Sequence, residues 1–241
     1  MLGLSLGMAI ACILAVYVGS TVQASVGIGL GMLASPVLAL ADPDFIPATI
    51  VICVVPLSIS IAWTDRHHID GRGFLLAILG RLPGVVVGAL LAASLTDDVL
   101  TILVAGSVLG AVAASLSGRH FRPTDPAVVS AGLASGFTGT TTGVGGPPMA
   151  LVYQHSDPAI MRSTIAAFFA VGAGMSVTAL WIAGEVGRRQ LELAAMLLPG
   201  VILGVVTAHY VRGRLDPAAV RPAVLAICAG TSALLLLKTF W

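Results

Sequence analysis

The run Gly136-Phe137-Thr138-Gly139-Thr140-Thr141-Thr142-Gly143-Val144-Gly145-Gly146-Pro147-Pro148-Met149 holds four threonines, five glycines and two prolines inside a stretch without a charged side chain. Such a run cannot be a regular helix facing lipid, because its backbone groups would have no partners there. It must be buried in protein or line a wet cavity. Pro147 suits the first residue of a new half-helix, since it has no N–H to leave orphaned. The free N–H groups at such a start, and the dipole behind them, make an anion site. The first part of the chain carries a weaker copy, Thr21-Val22-Gln23-Ala24-Ser25-Val26-Gly27-Ile28-Gly29-Leu30-Gly31, followed by Ser35-Pro36. There Ser35 reads as an N-cap and Pro36 as a first helical residue.

Arg81 is the other residue with chemistry. It interrupts an apolar stretch, between Leu79-Gly80 and Leu82-Pro83-Gly84. An intramembrane arginine is costly and faces a partner or a cavity, unless it snorkels to the interface. Its fork of donors fits a sulfonate, phosphate or carboxylate. The expected substrate-binding set is therefore Gln23, Ser25, Gly29, Gly31, Ser35, Arg81, Thr141, Thr142, Gly145, Gly146, Pro147 and Met149. The hydroxyls and the Gln23 amide add donors to those of the backbone. Arg162 and Thr164 lie near the mouth of this region and read equally as site residues or interface anchors.

The elements that must position these residues follow from composition. Of 241 residues, 57% are hydrophobic and only 10% charged, and the mean hydropathy is +1.02. Soluble domains average about 25% charged residues, so a soluble enzyme, a disordered chain and a disulfide scaffold are excluded. A net charge of +1 leaves no basic field for nucleic acid. Uncharged runs alternate with short charged loops, and a span needs about 20 apolar residues. The expected fold is an all-α membrane protein of about eight transmembrane segments. The runs 1–41 and 126–156 are too long for one crossing of a core about 30 Å thick. Each is expected to be broken or re-entrant at its glycine cluster.

The chain also repeats. Gly27-Ile28-Gly29 recurs as Gly143-Val144-Gly145, Gly71-Arg72 as Gly187-Arg188, and Leu82-Pro83-Gly84-Val85 as Leu198-Pro199-Gly200-Val201. Each pair is separated by the same 116 residues (27 to 143, 71 to 187, 82 to 198). Two homologous four-segment halves are expected, 1–118 and 119–241, an arrangement common in secondary transporters. Leu197 stands opposite Arg81 in the repeat, so the scaffold does not demand the arginine. If the long first segment of each half crosses once, the repeats are parallel; if it folds back as a helix plus a re-entrant half-helix, the halves are inverted. Inversion puts Arg66, Arg72, Arg119, Arg122, Arg162, Arg212, Arg214 and Arg221 inside and Arg188, Arg189 and Lys238 outside, which the positive-inside rule favours.

Other residues read as structural. Cys12, Cys53 and Cys228 sit in apolar runs without metal spacing and read as buried small hydrophobes. His67, His68, His120 and His155 fall in loops, and His209 near a segment end, so no metal site is expected. Glu192 reads as interfacial. A serine protease in the membrane would need a buried Ser–His pair. Ser135 and His209 are the nearest by type, without a supporting motif. A cleaved signal peptide and a cofactor are not expected.

The glycine-rich start of the first half, the 143–148 Gly-Val-Gly-Gly-Pro-Pro run, the four-plus-four repeat and the length resemble the TauE/SafE family across essentially the whole chain. The resemblance implies a transporter of sulfite, organosulfonates or similar small sulfur anions in the bacterial cytoplasmic (inner) membrane, driven by ion gradients. The second-half motif corresponds at Gly143, Gly145, Gly146 and Pro147; the first half reads Gly27-Ile28-Gly29-Leu30-Gly31 in place of a glycine triplet. The expected function is a secondary transporter of a small anion, not an enzyme, working by alternating access between the halves. A passive anion channel is the alternative. Expected partners are the anion, the bilayer, a coupling ion (H⁺ or Na⁺) and a second copy of the chain as a homodimer.

Overall fold

In the computed structural model, residues 4–117, 122–211 and 217–241 are described, the side chains of 217–221 excepted. All regular structure among them is helical: α1 (Leu6–Val26), α2 (Leu30–Ala41), α3 (Ala48–Thr64), α4 (Gly71–Ala92), α5 (Asp97–Leu116), α6 (Asp125–Thr142), α7 (Gly146–Tyr153), α8 (Pro158–Ile182), α9 (Arg188–Val211) and α10 (Pro217–Phe240). Seven of them are long and apolar enough to cross a membrane: α1, α3, α4, α5, α8, α9 and α10. The expected count was eight. The difference lies in the run 126–156. The chain leaves the helix between Thr142 and Gly146, and the longer piece, α6, carries too many hydroxyls to qualify by apolarity.

Both glycine clusters end a helix in the same way. Gly27 (φ 105°) and Gly143 (φ 76°) take the left-handed conformation, and their N–H groups donate to Gln23 O and Gly139 O. Glycine enters this region without steric cost. Helix restarts at Leu30 and Gly146, again 116 residues apart (30 to 146). Ser35 and Pro36 do not start a helix, contrary to the sequence reading. Both lie inside α2, which Gly29 and Gln23 begin five residues earlier. Nor does Pro147 open α7. Gly146 is the first residue and Pro147 the second.

Helices α1 and α9 pack together, as do α4 and α6, α3 and α8, and α5 and α10. Small residues set the spacing. A Cβ on Gly80 would lie 2.2 Å from Val129 O, and one on Gly204 2.5 Å from Ser20 Cβ. The same logic sorts the faces of α4. Its inner stripe, Ala77, Gly80, Arg81, Gly84 and Gly88, is buried. Leu75, Leu79, Leu82, Val86 and Leu90 are exposed on the other side, where lipid would cover them. Cys12, Cys53 and Cys228 are buried free thiols.

The connections tie the bundle at two ends. At one, Arg189 bonds Asp42 and Asp44, and Lys238 Nζ donates to Leu40 O. At the other, Arg162 pairs with Asp65 at 2.8 Å, Tyr153 donates to Asp70 at 2.8 Å, and Asp70 N donates to Thr164 Oγ1. Arg162 and Thr164 thus act as ties between loops. Glu192 pairs with Arg188 at the surface.

Candidate functional site

Arg81 does not snorkel. It sits on the inner face of α4 with 2% of its surface exposed. Its Nη1 donates to Ser135 Oγ of α6 and its Nη2 to Ser176 Oγ of α8, both at 3.1 Å. The guanidinium carbon lies 4.9 Å from the ring centre of Phe168 and 5.8 Å from that of Phe169. Arg81 Nε is buried without a hydrogen-bond partner. Glycine lets it lie this close: a Cβ on Gly172 would come within 2.5 Å of Nε and displace the arginine side chain. None of the ion pairs among the described residues includes Arg81. Removing a guanidinium from water costs several kcal/mol. Two hydroxyl acceptors and the ring faces offset part of that without cancelling the charge.

The two serines connect Arg81 to the backbone around it. Ser135 Oγ donates to Gly145 O at 2.6 Å, just before α7. Ser176 bonds Gly172 O at 3.1 Å and Thr140 Oγ1 at 2.7 Å. Across from them, Gln23 Oε1 accepts from Leu30 N at 3.0 Å and so caps α2. Gly31 and Met32 follow, with N–H groups that have no carbonyl one turn back inside the helix. In α7 the second and third positions are prolines, so fewer donors remain there.

These groups meet at a cavity of about 30 Å³, room for roughly two water molecules. Gln23, Gly29, Gly31 and Met32 line it from the α1–α2 junction. Gly139, Gly143, Gly145 and Gly146 line it from the α6–α7 junction, with Val51 and Val54 of α3, Arg81 of α4, and Phe169 and Ala173 of α8. A larger, mostly apolar chamber of about 230 Å³ adjoins it, sharing Gly29 and Met32 and reaching Gln154 and Met161.

Of the residues singled out from sequence, Gln23, Gly29, Gly31, Arg81, Gly145 and Gly146 come together at the small cavity. Pro147 lines the larger chamber. Met149 is packed in the apolar core. Thr141 spends its hydroxyl on Phe137 O and Gly88 O, and Thr142 on Thr138 O. Ser25 and Ser35 have buried hydroxyls without hydrogen-bond partners and line neither cavity. The residues the sequence did not point to are Ser176, Phe169 and Gly172; Ser135 stood out there only beside His209, as a protease pair, and instead bonds Arg81. Nothing in their spacing links them to Arg81. Only the packing of α4 against α6 and α8 does.

The family model for the sulfite exporter TauE/SafE matches residues 11–235. The chain belongs to the TauE/SafE family. It is similar to a probable sulfite/organosulfonate exporter TauE of Cupriavidus necator, 26% identical over 230 residues, which cover 91% of this chain and 90% of the relative. No solved structure matches it. As a TauE/SafE protein with seven apolar helices of spanning length, it is a multi-pass transporter of the bacterial inner membrane and not an enzyme.

Proposed function

We propose that this chain is a secondary transporter of a small sulfur anion, sulfite or an organosulfonate such as sulfoacetate, held between Arg81 and the two helix junctions. The observation that carries this reading is the buried Arg81 guanidinium with no carboxylate beside it, next to a cavity lined by the glycines of both helix junctions. Gly31 and Met32 N–H groups, the Gln23 amide and Arg81 supply donors, and an anion's oxygens supply the missing acceptors. The name of the Cupriavidus relative points to the same class of substrate.

The transport cycle we infer is alternating access between two inverted halves, 1–118 and 119–241. The matched ends at Val26 and Thr142 and restarts at Leu30 and Gly146 support the repeat. Inversion is supported by the ties. Arg189, at the start of α9, meets Asp42 and Asp44 at the end of α2, beside the N-terminal end of α1. Tyr153, at the end of α7, meets Asp70 at the start of α4, beside the N-terminal end of α6. Each short helix thus folds back toward the end its long partner came from, from opposite ends of the bundle. The Asp65–Arg162 end is rich in arginine and faces the cytoplasm under the positive-inside rule. The larger chamber reaches Gln154 and Met161 near that end and shares Gly29 and Met32 with the central cavity, which supports access from the cytoplasmic side.

The test is a thermal-shift panel of sulfite, sulfate, thiosulfate and sulfoacetate on the purified chain, followed by flux in proteoliposomes for any that stabilise it. Saturable flux of a stabilising anion is expected. Linear, unsaturable flux indicates the passive pore, and no binding by any of the four overturns the reading.

A further inference from the structure

We propose that the protein is an anion exchanger, releasing one anion only as it takes up another, because Arg81 leaves the unloaded carrier with an uncompensated charge at its centre. This rests on the reading of the Arg81 cavity as the transport site. Four observations carry it. Arg81 is 2% exposed, and its two hydrogen-bonded partners, Ser135 and Ser176, are neutral. Its Nε is buried with no partner at all. Every acidic side chain among the described residues lies in a loop or in the first turn of a helix, except Glu192, one turn into α9 and paired with Arg188 at the surface, so none shares the interior with Arg81. The adjoining cavity, at about 30 Å³, is too small to hold a hydration shell around a guanidinium.

A carrier that changes access must pass through a state closed to both sides. Unloaded, that closed state holds a bare cation that has lost its water, which is the expensive situation for a buried charge. Loaded with hydrogen sulfite, the singly charged form of sulfite, the same state holds an ion pair of no net charge, whose attraction is strongest where water is excluded. The loaded forms therefore interchange readily and the unloaded form lags. An anion delivered to one side must be replaced by another before the site returns. A carrier whose interior carboxylate balanced the arginine would have no such restriction.

The test uses the purified full chain in proteoliposomes loaded with radiolabelled sulfite, with the membrane potential clamped. Unlabelled sulfite outside is expected to speed label efflux about tenfold or more over anion-free zwitterionic buffer. Arg81→Gln keeps a donor for the serines and removes the charge. Its ratio of the two rates is expected to fall toward one, whatever its absolute rate. Equal efflux in both media from the wild-type chain overturns the exchange, as does a Na⁺ or proton gradient that drives net efflux as fast as external sulfite does. An unchanged ratio in an active Arg81→Gln variant overturns the role of the charge. If Arg81→Gln is inactive, the wild-type ratio decides. If sulfite, thiosulfate and sulfoacetate all fail to move under either condition, the transport reading itself fails and the exchange falls with it. Net movement without acceleration removes the exchange alone.

Discussion

Arg81, from the middle of α4, and Gln23, at the α1–α2 junction, face one small cavity and do different work. Arg81 brings charge. Arg81→Leu, which copies the residue at position 197, is expected to weaken sulfite binding about tenfold or more, since a charge-assisted hydrogen bond contributes about 1.5–3 kcal/mol. Titration calorimetry on the purified chain checks this, and an unchanged affinity takes Arg81 out of the site. Gln23 brings an acceptor to Leu30 N and lines the cavity. Gln23→Glu keeps that acceptor and adds a negative charge. The expected outcome is a folded chain with a near-normal melting temperature that no longer binds sulfite. Sulfite binding at wild-type strength by Gln23→Glu would move the anion away from the α1–α2 junction. Arg81 could be singled out from sequence because a charge in an apolar run is conspicuous. That Ser135 and Ser176 are its partners could not be read, because hydroxyls are common in membrane helices and these come from helices distant in sequence.

At the scale of the element, the two left-handed glycines decide where helix stops. A Cβ at Gly143 would meet Ile50 Cγ2 at 2.4 Å, on a backbone already at φ 76°. The conformation alone costs about 1–2 kcal/mol for an alanine, and forced repacking adds about 1–3 kcal/mol. Gly143→Ala is expected to lower the melting temperature clearly. Gly174→Ala, where no atom lies within 4 Å of the new Cβ, is the control and should leave it unchanged or slightly raised. The position of these stops was legible, because glycine clusters fell in runs too long for one crossing. The restart was not. Ser35-Pro36 has the composition of a helix start, but α2 had already begun at Leu30, and a proline is tolerated within a helix buried among others. The loop after α8 offers a pH handle. Burial, and then the neighbouring charge of Asp97, push the Glu185 carboxyl above its ordinary value near 4.5. The folded chain therefore holds this proton more tightly than the unfolded chain. Stability contributed by the neutral form is present below about pH 4.5 and is lost as pH rises through the folded value. Glu185→Gln should flatten melting temperature against pH across that window. A wild-type slope that persists in the variant would point to another group.

For the whole molecule, composition alone announced a helical membrane protein, and counting apolar runs came within one of the helices that qualify. The miss is physical: α6 is hydroxyl-rich because it lies against α4 and the cavity, so its apolarity understates how deeply it is placed. How the helices pair was not legible, since α4 joins α6 and α1 joins α9 through glycine contacts that only the folded chain reveals. The orientation inferred from the arginine-rich end has a direct consequence. In intact cells Asp98→Cys is expected to react with a membrane-impermeant maleimide, and His67→Cys only after the cells are opened. The reverse pattern would turn the chain over.

That experiment profits from the state of the three native thiols. Cys12, Cys53 and Cys228 have no exposed surface, and the last two point their sulfurs at the carbonyls of Ala194 and Met32. A bulky aqueous reagent has no route to them while the fold holds. The unaltered chain can therefore serve as its own blank: a single introduced cysteine reports alone, and any labelling of the parent signals unfolding.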